Sequence, residues 1–271
     1  MSSHRPFSYL GSHVYGIAAI ALGLTGLVWG DFASVWQPVP ASVPHRAVLA
    51  YLYAACLLLA GIAAQWRPSA RIAVSALAVL YCLPAALWAG RVIQSPGNIG
   101  TWGGFGEEVA LVAAAVIAAC FLLSLRPSAA AARLIRALCV VFGLCFIALG
   151  VEHFMALAAT AAFVPKWIPP NQRFWAMVTG TAHLLAGIAI ISGILDLLAS
   201  RLLTAMIIIF GLLVWLPAVI AQPHVHMMWS ANSINLALLA AAWVVADAIA
   251  LRREQVRSAQ TAPVVAVQVS N

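Results

Sequence analysis

Hydrophobic and polar positions alternate along this chain in long blocks. Apolar runs of roughly 20 residues are separated by short segments rich in Arg, Pro and Trp. A helix that crosses a bilayer needs about 20 mainly apolar residues, so each run predicts a transmembrane helix. The eight predicted spans are Val14–Trp29, Ala47–Gln65, Ile72–Gly90, Val109–Leu125, Leu134–Phe154, Phe174–Leu195, Leu202–Ala221 and Ala231–Leu251.

Composition leads to the same class. Of the 271 residues, 64% are hydrophobic and 8% are charged, and the mean hydropathy is +1.01. A soluble domain cannot hide so much apolar surface, which predicts an all-α polytopic membrane protein with the lipid bilayer as its first partner. In such a protein, the net charge of +7 is explained first by the distribution of basic residues between the two sides of the membrane. No nucleic-acid partner is expected.

The basic residues predict the orientation of the spans. The side that carries both chain ends has Arg5, Arg67, Arg71, Arg126, Arg133, Arg136, Arg201, Arg252, Arg253 and Arg257, whereas the other side has Arg46, Arg91, Lys166 and Arg173. The positive-inside tendency therefore predicts cytoplasmic termini in the cell (inner) membrane. The first span is expected to be retained, because Trp29, Asp31 and Trp36 stand where a signal cleavage site would be.

The chain also shows signs of an internal repeat. Ala60-Gly61-Ile62-Ala63 returns as Ala186-Gly187-Ile188-Ala189, Leu83-Pro84-Ala85 returns as Leu216-Pro217-Ala218, and Trp102 matches Trp229. Four crossings per half make the repeats parallel. We therefore predict two tandem four-helix bundles, residues 1–130 and 131–255, followed by a disordered cytoplasmic tail at 256–271.

Four motifs of the second half occur in a familiar order. They are G-x-x-H-F at Gly150–Phe154, V-P-x-W-x-P at Val164–Pro169, T-G-x-A-x-x-L-A-G at Thr179–Gly187 and L-P-A at Leu216–Ala218. With them, residues 140–250 resemble the DoxX-like family of four-span membrane proteins. The resemblance implies a helical bundle and an association with quinone-linked or thiol-related redox systems, so a quinone-linked oxidoreductase component is one implied activity. The tandem form departs from the family, as does His183, which stands where a carboxylate is common.

Ionisable residues inside the predicted spans are the candidate catalytic groups. His183 lies near the centre of its span, where an imidazole must find a partner other than water. It is either a ligand-binding, proton-exchanging group or a neutral histidine bonded to a helix carbonyl, Thr179 or Thr181. Glu152 and His153 lie one turn from the external end of the preceding span, at a depth expected to differ from that of His183 by several turns. They are the candidate proton-exchange groups at the external side.

The loop that follows supplies candidate ligand-binding residues. Lys166, Arg173 and Trp175 are expected to frame the mouth of a cavity around His183, although an interfacial loop anchored at the lipid headgroups explains them equally well. The loop at Gly97–Val109 is rich in glycine, which predicts a flexible turn. Glu107 and Glu108 are expected to begin the fourth span, where carboxylates favour a helix N-terminus. The alternative for one of them is that it projects into the bundle.

A possible metal site lies in QPHVHMMWS, Gln222–Ser230. His224 and His226, followed by two methionines, offer imidazole and thioether ligands suited to copper. A single H-x-H needs a third ligand from another loop, and an interfacial loop is the competing interpretation. None of the five cysteines forms a C-x-x-C pair, which argues against a dithiol relay within the chain.

Three functions follow from these observations. The first is a membrane redox-associated protein that holds a quinone or a similar hydrophobic molecule near His183, with a membrane redox partner. The second is a small-molecule transporter or conduit, because parallel repeats around a central interface are a recurrent transporter plan. The third is a non-catalytic accessory subunit of a membrane complex. Quinone is the preferred cofactor, with copper behind it.

Overall fold

The computed structural model describes residues 10–33, 35–124 and 127–261, and this part of the chain is helical without strands. The predicted all-α class is confirmed. The helices are α1 Leu10–Trp29, α2 Arg46–Ala63, α3 Arg67–Gln94, α4 Ile99–Leu123, α5 Ala129–Met155, α6 Leu157–Phe163, α7 Gln172–Ser192, α8 Asp196–Phe210, a π-helical turn at Gly211–Trp215, α9 Leu216–Ala221 and α10 His226–Thr261.

Within these residues, eight helical segments are long and apolar enough to cross a bilayer. They are α1 to α5, α7, the unit Asp196–Ala221 that joins α8 to α9, and α10. The predicted number of crossings is therefore confirmed, but several bounds were wrong. The fourth span begins at Ile99 rather than at Val109, because Asn98 caps the helix by accepting a hydrogen bond from the Gly100 amide at 3.0 Å.

The last helix also differs from its prediction. The tail was expected to be disordered from residue 256, yet α10 continues to Thr261. Its last turns contain Arg252, Arg253, Glu254 and Gln255, which are good helix formers once they leave the apolar layer. Residues 262–271 of the predicted tail lie outside the described part of the chain.

Helices that follow one another pack antiparallel, and α4 and α10 are the most buried of them. Helix α1 packs on α2 and α10, α4 packs on α3, α5 and α10, and α8 packs on α7 and α10. One cluster of buried apolar side chains therefore joins both halves of the chain. The loops at residues 30–45, 95–98, 164–171 and 222–225 share one side of the bundle, named the distal face below.

Small residues bring two helix pairs into close contact. In the α1–α2 pair a Cβ on Gly61 would lie 2.6 Å from the Gly16 carbonyl oxygen, and in the α5–α7 pair a Cβ on Gly143 would lie 2.9 Å from the Gly187 carbonyl oxygen. Seven residues along each first helix, Gly23 faces Ala54 and Gly150 faces Gly180 in the same way. Such contacts need residues without bulky side chains. The correspondence is what an internal repeat would produce, although the repeat itself stays a prediction.

Tryptophans fix three of the helix starts on the distal face. Each indole N–H donates to the carbonyl of a proline six residues earlier: Trp102 to Pro96 at 2.9 Å, Trp175 to Pro169 at 2.7 Å and Trp229 to Pro223 at 2.9 Å. A proline carbonyl in a loop has no helical donor, so the indole satisfies it. The bond also holds each ring at the start of its helix.

The opposite face contains a cluster of charged residues. Asp247 interacts electrostatically with Arg201 but forms no ion pair with it or with Arg252 among the described residues, and one of its carboxylate oxygens is buried without a hydrogen-bond partner. Instead Arg252 and Arg253 at the end of α10 bind Asp196, which is fully buried at the start of α8. The pairing ties α8 to α10 at this face.

Candidate functional site

A cavity of about 620 Å³ lies in the second half of the bundle, towards the distal face. Residues from α3, α4, α5, α6, α7, α8, the π-helical turn and α10 line it, together with Val35 and Trp36 from the loop after α1. Its walls are mainly apolar, with a few polar groups that converge on one region. This combination of volume, apolar lining and sparse polar groups is typical of a small-molecule site.

Two histidines meet in this cavity. The ring centroids of His153 on α5 and His183 on α7 lie 4.8 Å apart in an edge-to-face arrangement. The predicted difference of several turns in depth is therefore wrong. In an antiparallel pair each side chain leans towards the N-terminus of its own helix, so His153 leans into the bundle and His183 leans towards the distal face. Gly150 and Gly180 let the two helices approach closely enough for the rings to touch.

His183 is the buried polar group that most requires an explanation. His183 is only 5% exposed, and its Nδ1 atom has no hydrogen-bond partner. Phe146 and Phe210 flank the ring at 5.5 Å and 6.2 Å between centroids. The competing prediction was a bond to a helix carbonyl, Thr179 or Thr181; the Nδ1 atom makes no such bond, and both hydroxyls donate to carbonyls of their own helix. A buried nitrogen without a partner, on a side chain that lines a cavity, suits a bound ligand.

Two carboxylates share the cavity with the histidines. Glu152 lies on α5 next to His153, and Glu107 reaches the same space from α4, close enough for the two side chains to interact electrostatically. The side chain of Trp36 faces Glu107. Among the described residues, neither glutamate forms an ion pair with a lysine or arginine. In the described part of the chain, no basic side chain therefore neutralises Glu107 or Glu152 through an ion pair.

The glycines of the Gly97–Val109 segment have a packing role. The prediction of a flexible turn was wrong, since Gly100, Gly103 and Gly104 lie in the first turns of α4. A Cβ at Gly103 would collide with the Glu152 carboxylate, and one at Gly104 would collide with the indole of Trp88. Glycine therefore makes room at α4 for two of the side chains that line the cavity.

Because α4 begins at Ile99, two acidic residues lie further into the helix than predicted. Glu107 and Glu108 were expected in the first turn of the fourth span, but they lie in its third turn, beyond the reach of the unpaired amides at the helix start. Glu107 faces the cavity, whereas Glu108 is 1% exposed and projects into the bundle.

The structure separates the predicted ligand-binding residues. His183 and Trp175 line the cavity together with Glu152 and His153. Lys166 and Arg173 are exposed and lie outside the lining, so the structure does not bring them to the site. Lys166 lies in the loop next to the exposed Trp167, which agrees with the interfacial interpretation.

A π-helical turn forms one wall. At Gly211–Trp215 the helix widens, so that the Leu216 amide donates to the Gly211 carbonyl five residues earlier. Pro217 follows directly and cannot supply the amide that a regular helix needs. Leu213, Val214 and Trp215 from this turn line the cavity, and Trp215 contacts Phe163 of α6 at 5.3 Å between ring centroids. Such turns often mark functional sites.

The histidines of the proposed metal site lie elsewhere. His224 is exposed in the loop before α10, and His226 stacks on Trp29 of α1, with ring centroids 5.1 Å apart. In residues 10–33, 35–124 and 127–261, no three His, Cys, Asp or Glu side chains are grouped so that they could hold a metal ion. The copper hypothesis stays a prediction without a third ligand of these kinds.

Sequence reasoning missed three residues of the site. Glu107 was assigned to a helix start, with projection into the bundle expected for one of Glu107 and Glu108, and it was not named as a site residue; neither Asn235 nor Trp215 was considered as a ligand-binding residue. The signal for Asn235 was available, because it is an amide in the middle of an apolar span, and such residues face the bundle interior. Trp215 contains no polar pattern of its own, and its position depends on the π-helical turn.

Comparison with known proteins gives one match. Residues 134–216 match the family model for DoxX. Neither a curated protein nor a solved structure matches the chain significantly. The matched segment contains α5, α6, α7, α8 and the π-helical turn, which are the elements that carry His153, His183 and Glu152. Residues 134–216 are therefore similar to the DoxX domain, and the eight apolar helices make the protein an integral membrane protein.

Proposed function

We propose that this protein binds a hydrophobic small molecule in the cavity around His183, with a quinone as the leading ligand. The observation that carries the proposal is the side chain of His183, which lines a cavity of about 620 Å³ and has a buried Nδ1 atom without a partner. A bound molecule that reaches this nitrogen would remove the energetic cost of leaving it unsatisfied, about 1–3 kcal/mol.

The rim of the cavity supports a lipophilic ligand. Val35, Phe163 and Ile209 line the cavity and are also 46%, 48% and 51% exposed on the outside of the bundle. An apolar rim suits a molecule that partitions into the bilayer and leaves its tail among lipid chains. The polar groups lie deeper, at His153, His183 and Glu152, where a polar head group would sit.

A quinone matches this division into a polar ring and an apolar tail. The DoxX resemblance implies quinone-linked redox systems, and ionisable side chains line the cavity, as a change in quinone redox state with proton exchange would require. Glu152 and His153 are the proposed exchange groups, and His183 is the proposed hydrogen-bonding group for the ring. The conduit and accessory-subunit hypotheses stay predictions.

Gentle extraction followed by analysis of the bound molecules tests the proposal. The protein is purified in mild detergent, and its lipid extract and metal content are measured by mass spectrometry. We expect a quinone to copurify with the wild-type protein. The amount of bound quinone should be at least severalfold lower in His183→Leu. The exposed His224→Leu is the matched control and should retain it.

The result that opposes the proposal is equally specific. A folded His183→Leu protein with an unchanged quinone content would refute the assignment of the site. A stoichiometric copper ion that is lost in His224→Leu would instead favour the metal hypothesis.

A further inference from the structure

The hydrogen-bonding groups of the cavity are mostly acceptors. We infer that the site is built for a head group that donates hydrogen bonds, so that it binds the reduced, hydroquinone form of its ligand in preference to the oxidised quinone. This inference rests on the proposed function. A quinone ring presents two carbonyl acceptors, whereas a hydroquinone presents two hydroxyl donors. The oxidised form therefore needs hydrogen-bond donors from the protein, and the reduced form needs acceptors.

The indole and hydroxyl donors of the lining are largely used within the protein. Trp88 donates to the Trp36 carbonyl at 3.1 Å, and Trp175 donates to the Pro169 carbonyl at 2.7 Å. The hydroxyls of Thr160 and Thr179 donate to main-chain carbonyls of their own helices at 3.2 Å and 2.8 Å. A carbonyl can only accept, so each of these bonds removes one donor from the cavity.

Hydrogen bonds to main-chain carbonyls also determine which polar atoms of Asn235 and His153 remain available to a ligand. Asn235 donates one Nδ2 hydrogen to the Ile207 carbonyl at 3.2 Å, which leaves one N–H donor and the Oδ1 acceptor. His153 places its Nδ1 against the Leu149 carbonyl at 2.8 Å, so this nitrogen carries the proton of the neutral ring. Its Nε2 atom is then an acceptor.

The glutamates complete the acceptor set. Glu107 and Glu152 bring carboxylate oxygens to the cavity, and no lysine or arginine is among the residues that line it. The side chain of Trp36 already bonds to Glu107, so two hydroxyl donors on a ligand would serve mainly Glu152 and the carboxyl oxygen of Glu107 that Trp36 does not reach. His183, whose Nδ1 lacks a partner, can accept or donate according to its tautomer and therefore fits either form.

A matched pair of ligands tests the inference directly. Dissociation constants of a decyl-substituted benzoquinone and of its hydroquinone are measured by equilibrium dialysis with the full chain in detergent, under anaerobic conditions. The two probes have the same ring substituents and tail and differ in their ring oxygens. We expect the hydroquinone to bind about tenfold or more tightly, as the loss of one hydrogen bond to a charged or otherwise unpaired acceptor would give.

Substitution of one acceptor should shift the preference. Glu152→Gln keeps the size of the side chain and adds an amide donor, so we expect the preference for the hydroquinone to fall severalfold and binding of the oxidised form to improve. Glu254→Gln, which makes the same change at an exposed position of α10, should leave both constants unchanged.

The possible outcomes separate the two proposals. Equal affinities, or tighter binding of the oxidised form, would overturn the inference and leave the proposed function intact. Binding of neither form would overturn the proposed function and the inference together. A decyl-substituted benzylamine, which is protonated at neutral pH, serves as a third probe, and if it binds more tightly than the hydroquinone, the acceptors recognise a cation and the inference is overturned.

Discussion

The imidazole rings of His153 and His183 lie 4.8 Å apart on neighbouring antiparallel helices. One ring is tied to its own helix through the Leu149 carbonyl, and the other has a buried nitrogen without a partner. The pair therefore combines an imidazole held by a main-chain hydrogen bond with one whose Nδ1 atom has no partner. It lies at the wall of a cavity that also contains Glu107 and Glu152, which concentrates four ionisable side chains in one region.

Gly103→Ala should disturb the site without unfolding the protein. The new methyl group would collide with the Glu152 carboxylate, and that flexible side chain can turn away from its position in the cavity. We expect affinity for the hydrophobic ligand to fall about tenfold, measured by equilibrium dialysis, with little change in thermal stability.

Gly90→Ala is the matched control for this change. A Cβ at Gly90 meets no atom within 4 Å, and the residue lies inside α3. Ligand affinity should stay constant, and helix stability should rise by about 0.5–1 kcal/mol. If Gly103→Ala binds ligand like the control, Glu152 is not needed at its present position.

Gly187→Ala should separate α5 from α7 and lower stability. Its Cβ would lie 2.5 Å from the Gly143 carbonyl oxygen, and backbone atoms cannot turn away as a side chain can. We expect a loss of about 1–3 kcal/mol in the free energy of unfolding, as is usual for overpacked positions. Thermal unfolding in detergent measures it, and an unchanged melting temperature would contradict the predicted close packing.

Asp196→Asn and Asp247→Asn should have opposite effects. Asp196 is fully buried and binds Arg252 and Arg253, so its neutralisation should cost about 1–3 kcal/mol of stability; the arginines are half-exposed and can be solvated, which limits the loss. Asp247 has a buried oxygen without a partner, so Asp247→Asn should leave stability unchanged or raise it. Thermal unfolding of the two variants side by side checks the signs, and equal losses would show that Asp247 also has a stabilising partner.

Pro217→Ala should reshape the cavity wall. The substitution supplies an amide that can bond to the Leu213 carbonyl, so the π-helical turn can return to a regular helix and rotate Trp215 away from the cavity. We expect weaker ligand binding together with unchanged or higher thermal stability. Pro84→Ala, in the unbroken α3, is the control and should leave ligand binding unchanged. Equal ligand affinities in wild type and Pro217→Ala would show that the site does not need the π-helical turn.

The long apolar blocks determined the class and the number of crossings, because transfer of roughly 20 apolar residues into lipid depends on composition and hardly on neighbouring helices. Motifs within residues 134–216 were enough to indicate the DoxX domain, since they are local patterns. The same local information identified His183, whose burial follows from its position in a span.

Only the tertiary structure decided which side chains share the cavity. The contact between His153 and His183 depends on the close approach of Gly150 to Gly180, and the arrival of Glu107 depends on the helical start at Ile99. These are relations between helices distant in sequence, set by packing, by helix phase and by the direction in which side chains lean. Hydropathy along the chain contains none of these quantities, so the sequence could name the candidates while the fold alone brought them together.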